Sequence, residues 1–300
     1  MKVLLTGATG FVGTHLTKKL EAAGHEVLPV SRKAGVGFDW SEDSLRRGVD
    51  EADAIINLAG ESLFGRRWNA KQKQVLWSSR VESTTRLAQL AAQRKPSCLL
   101  SASAIGWYGA NDERELDEHS PRGTDFLAEL CLDWEAATQV AVEAGVRTAI
   151  VRIGVVLGSG GGALARMLPP FRLGLGGPIG NGKQWMSWIH VDDLCALFLF
   201  LLENERASGV YNGTAPEPVT MKELSRTLAD VLHRPAFFPL PAPVLKIALG
   251  EVSSILLTGQ RVKPKRALEA GYRFAHPELE GALRQITARN VADARTVKTA

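Results

Sequence analysis

Cysteine is scarce in this 300-residue chain. Cys98, Cys131 and Cys195 are an odd number with no C-x-x-C spacing, which excludes a disulfide framework and a cysteine zinc site and fits reduced thiols. Long apolar runs are also missing. Thr6-Gly7 ends the opening Met1–Leu5 stretch too early for a signal peptide, and the later Leu194–Leu202 run is too short to cross a bilayer. A cytoplasmic protein with no membrane partner is expected. Nor is there an excess of one charge: 36 Lys and Arg face 32 Asp and Glu, a net +4. Basic pairs such as Arg46-Arg47, Arg66-Arg67 and Lys265-Arg266 are interleaved with acids, unlike the dense stripe of a nucleic-acid binder, so no nucleic-acid partner is expected. What remains, 45% hydrophobic and 23% charged residues, is the composition of an ordinary globular core.

Along the first two hundred residues, short β-branched or apolar runs alternate with segments of helical period, the pattern of βαβ units around a parallel sheet. Strands are expected at Val3–Leu5, Glu26–Val30, Ala54–Leu58, Cys98–Ala102 and Arg147–Val156. Helices are expected over about 11–24, 70–94 and 124–145. After about residue 157 the texture changes to Gly158–Gly162, Pro169-Pro170 and Gly174–Gly182, read as loops, then a helix from Asp192 through Leu202. Prolines 216, 218, 235, 239, 241 and 243 then separate short helical stretches without a large sheet. The expected class is α/β: a Rossmann, doubly wound parallel sheet with a smaller C-terminal substrate domain. Residues 1–157 with about 186–213 form the first part, and about 158–185 with 214–300 the second.

Thr6-Gly-Ala-Thr-Gly-Phe-Val-Gly13 follows the first strand and opens the first helix. Gly7 permits a tight turn, Gly10 lets backbone approach a pyrophosphate, and Gly13 allows helix to pack closely on strand. With Thr9, Phe11 and Val12, these residues are candidate dinucleotide contacts at a helix N-terminus. The second strand ends in Ser31-Arg32-Lys33, where an NAD-binding protein presents a carboxylate to the ribose. A hydroxyl and two cations there suit a 2′-phosphate, so Ser31 and Arg32 point to NADP(H).

This fingerprint, the Asn57-Leu58-Ala59-Gly60 turn, the Ser101–Gly109 segment and Ile189-His-Val-Asp-Asp-Leu194 resemble extended short-chain dehydrogenases of the nucleotide-sugar epimerase type. With the C-terminal region Arg261–Leu283, of the DUF1731 type, the chain resembles the atypical "epimerase family" proteins over nearly its whole length. The resemblance implies about seven parallel strands and an active site between the sheet and the C-terminal part. It places Leu58, Ala59 and Gly60, and Ile153 and Gly154, beside the cofactor ribose and nicotinamide, with Arg80 and Ser101 in the same cofactor set. Ser103 matches the family's active-site Ser or Thr. A nucleotide sugar as the small-molecule substrate, and a homodimer as the assembly, are compatible with it.

Typical members use Tyr-x-x-x-Lys, in which the lysine lowers the tyrosine pKa for proton exchange during hydride transfer. Tyr108, Tyr211 and Tyr272 are each followed four residues later by Asp112, Ala215 and His276, so the pair is absent. Leu127 and Cys131 stand in its places on the helix Asp125–Glu135. Cys131 is either a thiol facing the nicotinamide or a small buried hydrophobe, and Glu135 either a proton carrier or a solvent-facing residue. Tyr108, just past Ser103, is either a second catalytic candidate or a packing aromatic. Glu61, Arg67, Trp68 and Arg80 could present a cation and an indole to substrate, or simply pack.

Gly177–Lys183 has P-loop spacing, but Gln184 replaces the required Ser or Thr and no helix follows, so a loop over the cleft, with Lys183 as a substrate cation, is expected. His190, Asp192 and Asp193 read as a helix cap at Asp192 and a domain anchor, not a metal site. The chemistry expected is that of an NADP(H)-dependent oxidoreductase or epimerase-like enzyme. A non-catalytic NADP(H) redox sensor or scaffold is the competing reading, supported by the missing tyrosine-lysine pair.

Overall fold

The structure is a computed structural model describing residues 1–33, 35–110 and 113–296, with side chains through 288. In chain order, its first half contains β1 (Lys2–Thr6), α1 (Phe11–Ala22), β2 (Glu26–Val30), α2 (Glu42–Glu51), β3 (Ala54–Asn57), α3 (Ala70–Ser78), α4 (Val81–Arg94), β4 (Leu99–Ala104), β5 (Glu115–Leu116), α5 (Phe126–Ala136), α6 (Gln139–Glu143) and β6 (Thr148–Ile153). Its second half contains β7 (Val155–Leu157), α7 (Gly162–Arg172), β8 (Trp185–Met186), β9 (Trp188–His190), α8 (Val191–Glu203), β10 (Gly209–Gly213), β11 (Val219–Thr220), α9 (Met221–Leu232), α10 (Ala242–Leu249), α11 (Ser254–Leu257), β12 (Arg261–Val262), α12 (Lys265–Glu269) and α13 (Leu279–Thr296).

Six strands form one parallel sheet in the order β10-β6-β4-β3-β1-β2. Alternate residues of its buried strands face opposite layers, so the strands read as near-continuous apolar runs. Val3, Leu5, Ile56, Leu100 and Val151 meet Leu16 and Leu20 of α1 and Leu197 and Leu201 of α8. Leu4, Ile55 and Leu99 meet Leu45 and Val49 of α2 and Leu87 and Ala91 of α4 on the other face. A separate apolar cluster joins α7, β9, α9 and α13 through Leu164, Leu168, Trp188, Leu224, Leu283 and Ile286. The remaining sheets have two strands each.

Several expectations change. Among the described residues, six strands stand where about seven were implied: beyond edge strand β2, Phe38 makes only a single bridge to Val30. Gly35 and Gly37 take positive φ there and fold the chain back. Phe38 N–H then donates to Pro29 O (2.8 Å) and Ser31 N–H to Phe38 O (2.9 Å). The Arg147–Val156 strand divides at Gly154, whose N–H donates to Gly213 O in the main sheet, while that of Val155 donates to Ser187 O. Helix 70–94 breaks at Ser79-Arg80, and 124–145 breaks at Ala137-Thr138. The stretch around Pro169-Pro170, read as loop, lies inside α7 because Leu164, Leu168 and Phe171 form a buried stripe at helical spacing. The cap of α8 is His190, not Asp192: its Nδ1 accepts from Asp192 N–H at 3.0 Å. Asp193 anchors the C-terminal region, accepting from Ala275 N–H (2.7 Å) and His276 N–H (2.9 Å). Burial raises its carboxyl pKa.

Candidate functional site

At the carboxyl end of β1, Gly7 has φ +69°, and a Cβ there would come within 2.7 Å of Leu58 O. A Cβ on Gly13 would overlap Gly7 O and the Ala8 backbone, so α1 can approach this turn only with hydrogen at position 13. The Thr6 hydroxyl ties the turn to the next strand exit. It donates to Asn57 Oδ1 (2.6 Å) and accepts from Leu58 and Ala59 N–H (3.1 Å each). Gly10 is the N-cap of α1, with no side-chain cap and no acidic residue in the first turn. That helix end therefore keeps its amide donors and positive dipole for an anion. Phe11 is held from the far side by Gly158 and Gly162, where a Cβ would come within 2.8 and 2.9 Å of its ring.

At the end of β2, Ser31 is buried and its Oγ accepts from Lys33 N–H at 2.9 Å. Arg32 is 78% exposed, with Nη1 3.2 Å from Glu61 Oε2. The carboxylate near this strand end thus comes from the turn after β3, not from β2 itself. Gly60 lies against the Arg80 guanidinium, whose Nη2 donates to Glu61 O at 2.8 Å. Burial works against the Arg80 charge.

Parallel register puts Ser103 of β4, Arg152 of β6 and Asn212 of β10 side by side. Helix α5 covers this row, and Glu135, one turn beyond Cys131, reaches into it. Ser103 Oγ, 2% exposed, donates to Glu135 Oε1 at 2.7 Å. Arg152 donates to both oxygens of Glu135, from Nε and Nη2, at 2.8 Å each. Its Nη1 donates to Tyr108 OH (3.2 Å), which donates to Asn212 Oδ1 (2.8 Å). The guanidinium also stacks 3.8 Å from the Trp107 ring centroid. Burial disfavours the Arg152 charge, but the hydrogen bonds and charge of Glu135 outweigh it and raise its pKa.

Sequence reasoning underrated Glu135 and did not single out Arg152. The Glu135 side chain is 9% exposed and that of Arg152 4%. A signal existed: Arg152 interrupts the apolar run from Ala149 to Ile153, and a buried cation requires a buried anion. Burial pushes the Tyr108 phenol up to about 12, against the opposing pull of Arg152. Burial and the Glu135 charge push the Cys131 thiol up to about 12. Its Sγ lies 3.6 Å from Ala104 O. Both groups are therefore neutral at physiological pH, and neither Tyr108 nor Cys131 is ready to act as a base.

Ser101 donates to Ala102 O within the core, and the backbone of Gly154 lies against Ser187 O. The Glu61, Arg67, Trp68 and Arg80 group divides. Trp68 is buried, with Nε1 donating to Leu63 O, and stacks edge-on with Phe126 at 5.3 Å. Arg67 Nη2 donates to Ile247 O of α10 at 2.6 Å. Lys183 is exposed, on a segment that runs beside 238–240. His190, Asp192 and His276 lie close enough to share an ion, yet both ring nitrogens of His190 are engaged, Nδ1 by Asp192 N–H and Nε2 by Gln285 Oε1 at 3.0 Å.

Residues 3–212 match the profile of the NAD dependent epimerase/dehydratase family, and residues 240–286 that of a domain of unknown function, DUF1731. The chain is 45% identical over 296 residues to the epimerase family protein SDR39U1 of Bos taurus, covering 96% of this chain and all of that protein. It is 40% identical over 309 residues to the epimerase family protein YfhF of Bacillus subtilis, covering 99% and 100%. The crystal structure of human SDR39U1 isoform 2 with NADPH superposes with TM-score 0.91 at 42% identity, over 95% of this chain and 99% of that one. UDP-glucose 4-epimerase from Thermotoga maritima, solved with UDP-glucose, shares the fold at TM-score 0.80 and 18% identity, over 98% and 99%. The chain belongs to the NAD dependent epimerase/dehydratase family.

Proposed function

We propose that this protein binds NADP(H) and is an oxidoreductase or epimerase-like enzyme acting on a small polar substrate. One observation carries the reading: an uncapped, glycine-cradled helix end at Gly7–Gly13 lies beside a second strand that ends in Arg32 rather than a carboxylate. The NADPH in the human SDR39U1 crystal structure supports it. In this reading Gly7, Thr9, Gly10, Phe11, Val12 and Gly13 line the diphosphate. Ser31 and Arg32 hold the 2′-phosphate. Leu58, Ala59, Gly60, Ile153 and Gly154 flank the nicotinamide end, with Arg80 and Ser101 supporting the turns. Residues 1–157 and 186–213 carry the cofactor, and 158–185 and 214–300 the substrate side.

A nicotinamide dinucleotide bound here would supply or accept a hydride. The protein's own contribution is placement and electrostatics. Ser103 donates its proton inward to Glu135, so its lone pairs are left to accept a hydrogen bond from a substrate hydroxyl. Arg152 donates to both Glu135 oxygens and so leaves Oε1 an acceptor for the Ser103 proton, which fixes that polarity. Leu127 and Cys131 present no phenolate or ammonium, so Ser103 is the group assigned to the substrate oxygen.

Calorimetric titration with NADPH and NADH tests the cofactor half. NADPH should bind more tightly, and Arg32→Glu should weaken NADPH far more than NADH. Absence of binding by either dinucleotide overturns the reading. Nicotinamide absorbance in the presence of carbonyl compounds and nucleotide sugars tests the chemistry, with Ser103→Ala expected to lose turnover while still binding NADPH. Tight NADPH binding without turnover on any of these would favour the redox sensor.

A further inference from the structure

Seven large apolar side chains on the surface come from two short stretches of chain. Leu173 and Leu175 follow α7; Phe237, Phe238, Leu240, Val244 and Ile247 run from the α9–α10 connection into α10. Folding joins the two stretches: Phe238 N–H donates to Gly176 O (3.1 Å), Leu240 N–H to Pro178 O (2.9 Å), and Gly180 N–H to Leu240 O (2.9 Å). Phe237 is 81% exposed, Ile247 77% and Leu173 76%, far beyond the scattered apolar exposure of an ordinary surface.

The charge around this face has one sign. Residues 163–184 and 231–250 contain no aspartate or glutamate. Arg172 adjoins Leu173, Lys246 adjoins Ile247, and Arg234 precedes Pro235, which lies against Gly174. All three cations are exposed, and none is in an ion pair among the described residues. The acids that bound the second stretch, Asp230 and Glu251, are paired with Arg226 and Lys73.

We propose that this face docks the protein on an anionic lipid surface, with Leu173, Phe237 and Ile247 entering the headgroup region and Arg172, Arg234 and Lys246 meeting lipid phosphates. Exposed aromatic and aliphatic side chains rimmed by unpaired cations are the composition that binds the interface of an anionic bilayer. A second copy is a poor occupant, because a two-fold contact would set these cations against one another with no carboxylate between them. No helix among the described residues is long and apolar enough to cross a membrane, and docking requires none. A search of the sequence for spanning runs misses such a face, since two separate segments build it.

Co-sedimentation with vesicles of phosphatidylcholine alone, or mixed with phosphatidylglycerol, tests the proposal. The protein should pellet with the mixed vesicles, little with phosphatidylcholine alone, and less as salt rises. Phe237→Ser with Ile247→Ser should weaken binding by about tenfold for each side chain. Exchanging Arg172, Arg234 and Lys246 for Gln should remove the preference for anionic lipid, by roughly fivefold per cation. All these residues are exposed, so circular dichroism of the variants should match the parent. Failure of the parent to bind mixed vesicles, or binding indifferent to both sets of substitutions, overturns the proposal. So does a dimer in sedimentation velocity that the Phe237/Ile247 variant dissociates, since the face then belongs to a second copy.

Discussion

The Glu135 carboxylate on α5 is gripped at both oxygens by the Arg152 guanidinium on β6, two hydrogen bonds of 2.8 Å between side chains that are nearly inaccessible to water. A pair so buried is a poor net source of stability when intact, but removing one member strands the other charge. Glu135→Ala is expected to lower unfolding stability by about 3–5 kcal/mol. Glu135→Ala with Arg152→Met should recover a large part of that loss. Urea denaturation of the two single variants and the double checks this, and additive losses would contradict the coupling.

Glu61 pairs with the guanidinium that the proposed function gives to the 2′-phosphate. Arg32 is mostly exposed and the pair is a single contact of 3.2 Å, so it contributes at most about 1 kcal/mol. Glu61→Gln should therefore tighten NADPH about twofold to fivefold and leave NADH nearly unchanged. The gain should shrink as salt screens the pair. Titration calorimetry at two ionic strengths reads both effects.

Gly13→Ala has no room. The added carbon would meet Gly7 O and the Ala8 backbone, so α1 must move off the turn. Stability should fall by about 1–3 kcal/mol, and NADPH affinity should fall with it. Gly281→Ala, in α13 with open space around it, provides the contrast and should be neutral or slightly stabilising.

At alkaline pH the buried phenol of Tyr108 sets a limit. Its pKa is about 12 in the folded protein, against roughly 10 in an unfolded chain. From roughly pH 10 upward the unfolded chain releases this proton while the folded protein retains it. Stability is therefore intact below the unfolded value and is lost as pH rises toward the folded one, by about 3 kcal/mol in all. Tyr108→Phe should flatten that part of the profile. At neutral pH it should cost about 1–2 kcal/mol, because Asn212 Oδ1 and Arg152 Nη1 lose their shared partner. Chemical denaturation across this pH range measures both.

The parts legible in the sequence are those governed by local rules. Gly7, Gly10 and Gly13 follow a strand and open a helix, and both the turn and its close packing are where their order indicates. Buried strands stand out because a sheet covered on both faces needs continuous apolar runs. The parts that escaped depend on contacts distant in the chain. Glu135 has the helical spacing of any surface glutamate, and only the register of Ser103 with Arg152 on the next strand turns it inward. His190 displaced Asp192 as the helix cap because its imidazole Nδ1 accepts the Asp192 N–H itself, and the helix starts at Val191, one residue earlier than the sequence places it. The prolines of α7 signalled a break that the buried stripe overrode. Among the described residues no seventh strand lies beyond β2, where two positive-φ glycines, whose conformations no periodicity reports, turn the chain back.

Pro29 sits on the outer rim of β2, with its backbone directed as that of Ser31 is, away from β1 and toward Phe38. Where a rim strand ordinarily offers an amide hydrogen to a newcomer, this ring nitrogen offers none. An unfolded neighbour attempting to add itself there meets a gap in the row of donors and a chain already folded back across it. The β2 edge, beyond which no seventh strand lies among the described residues, is therefore no template for fibrillar growth.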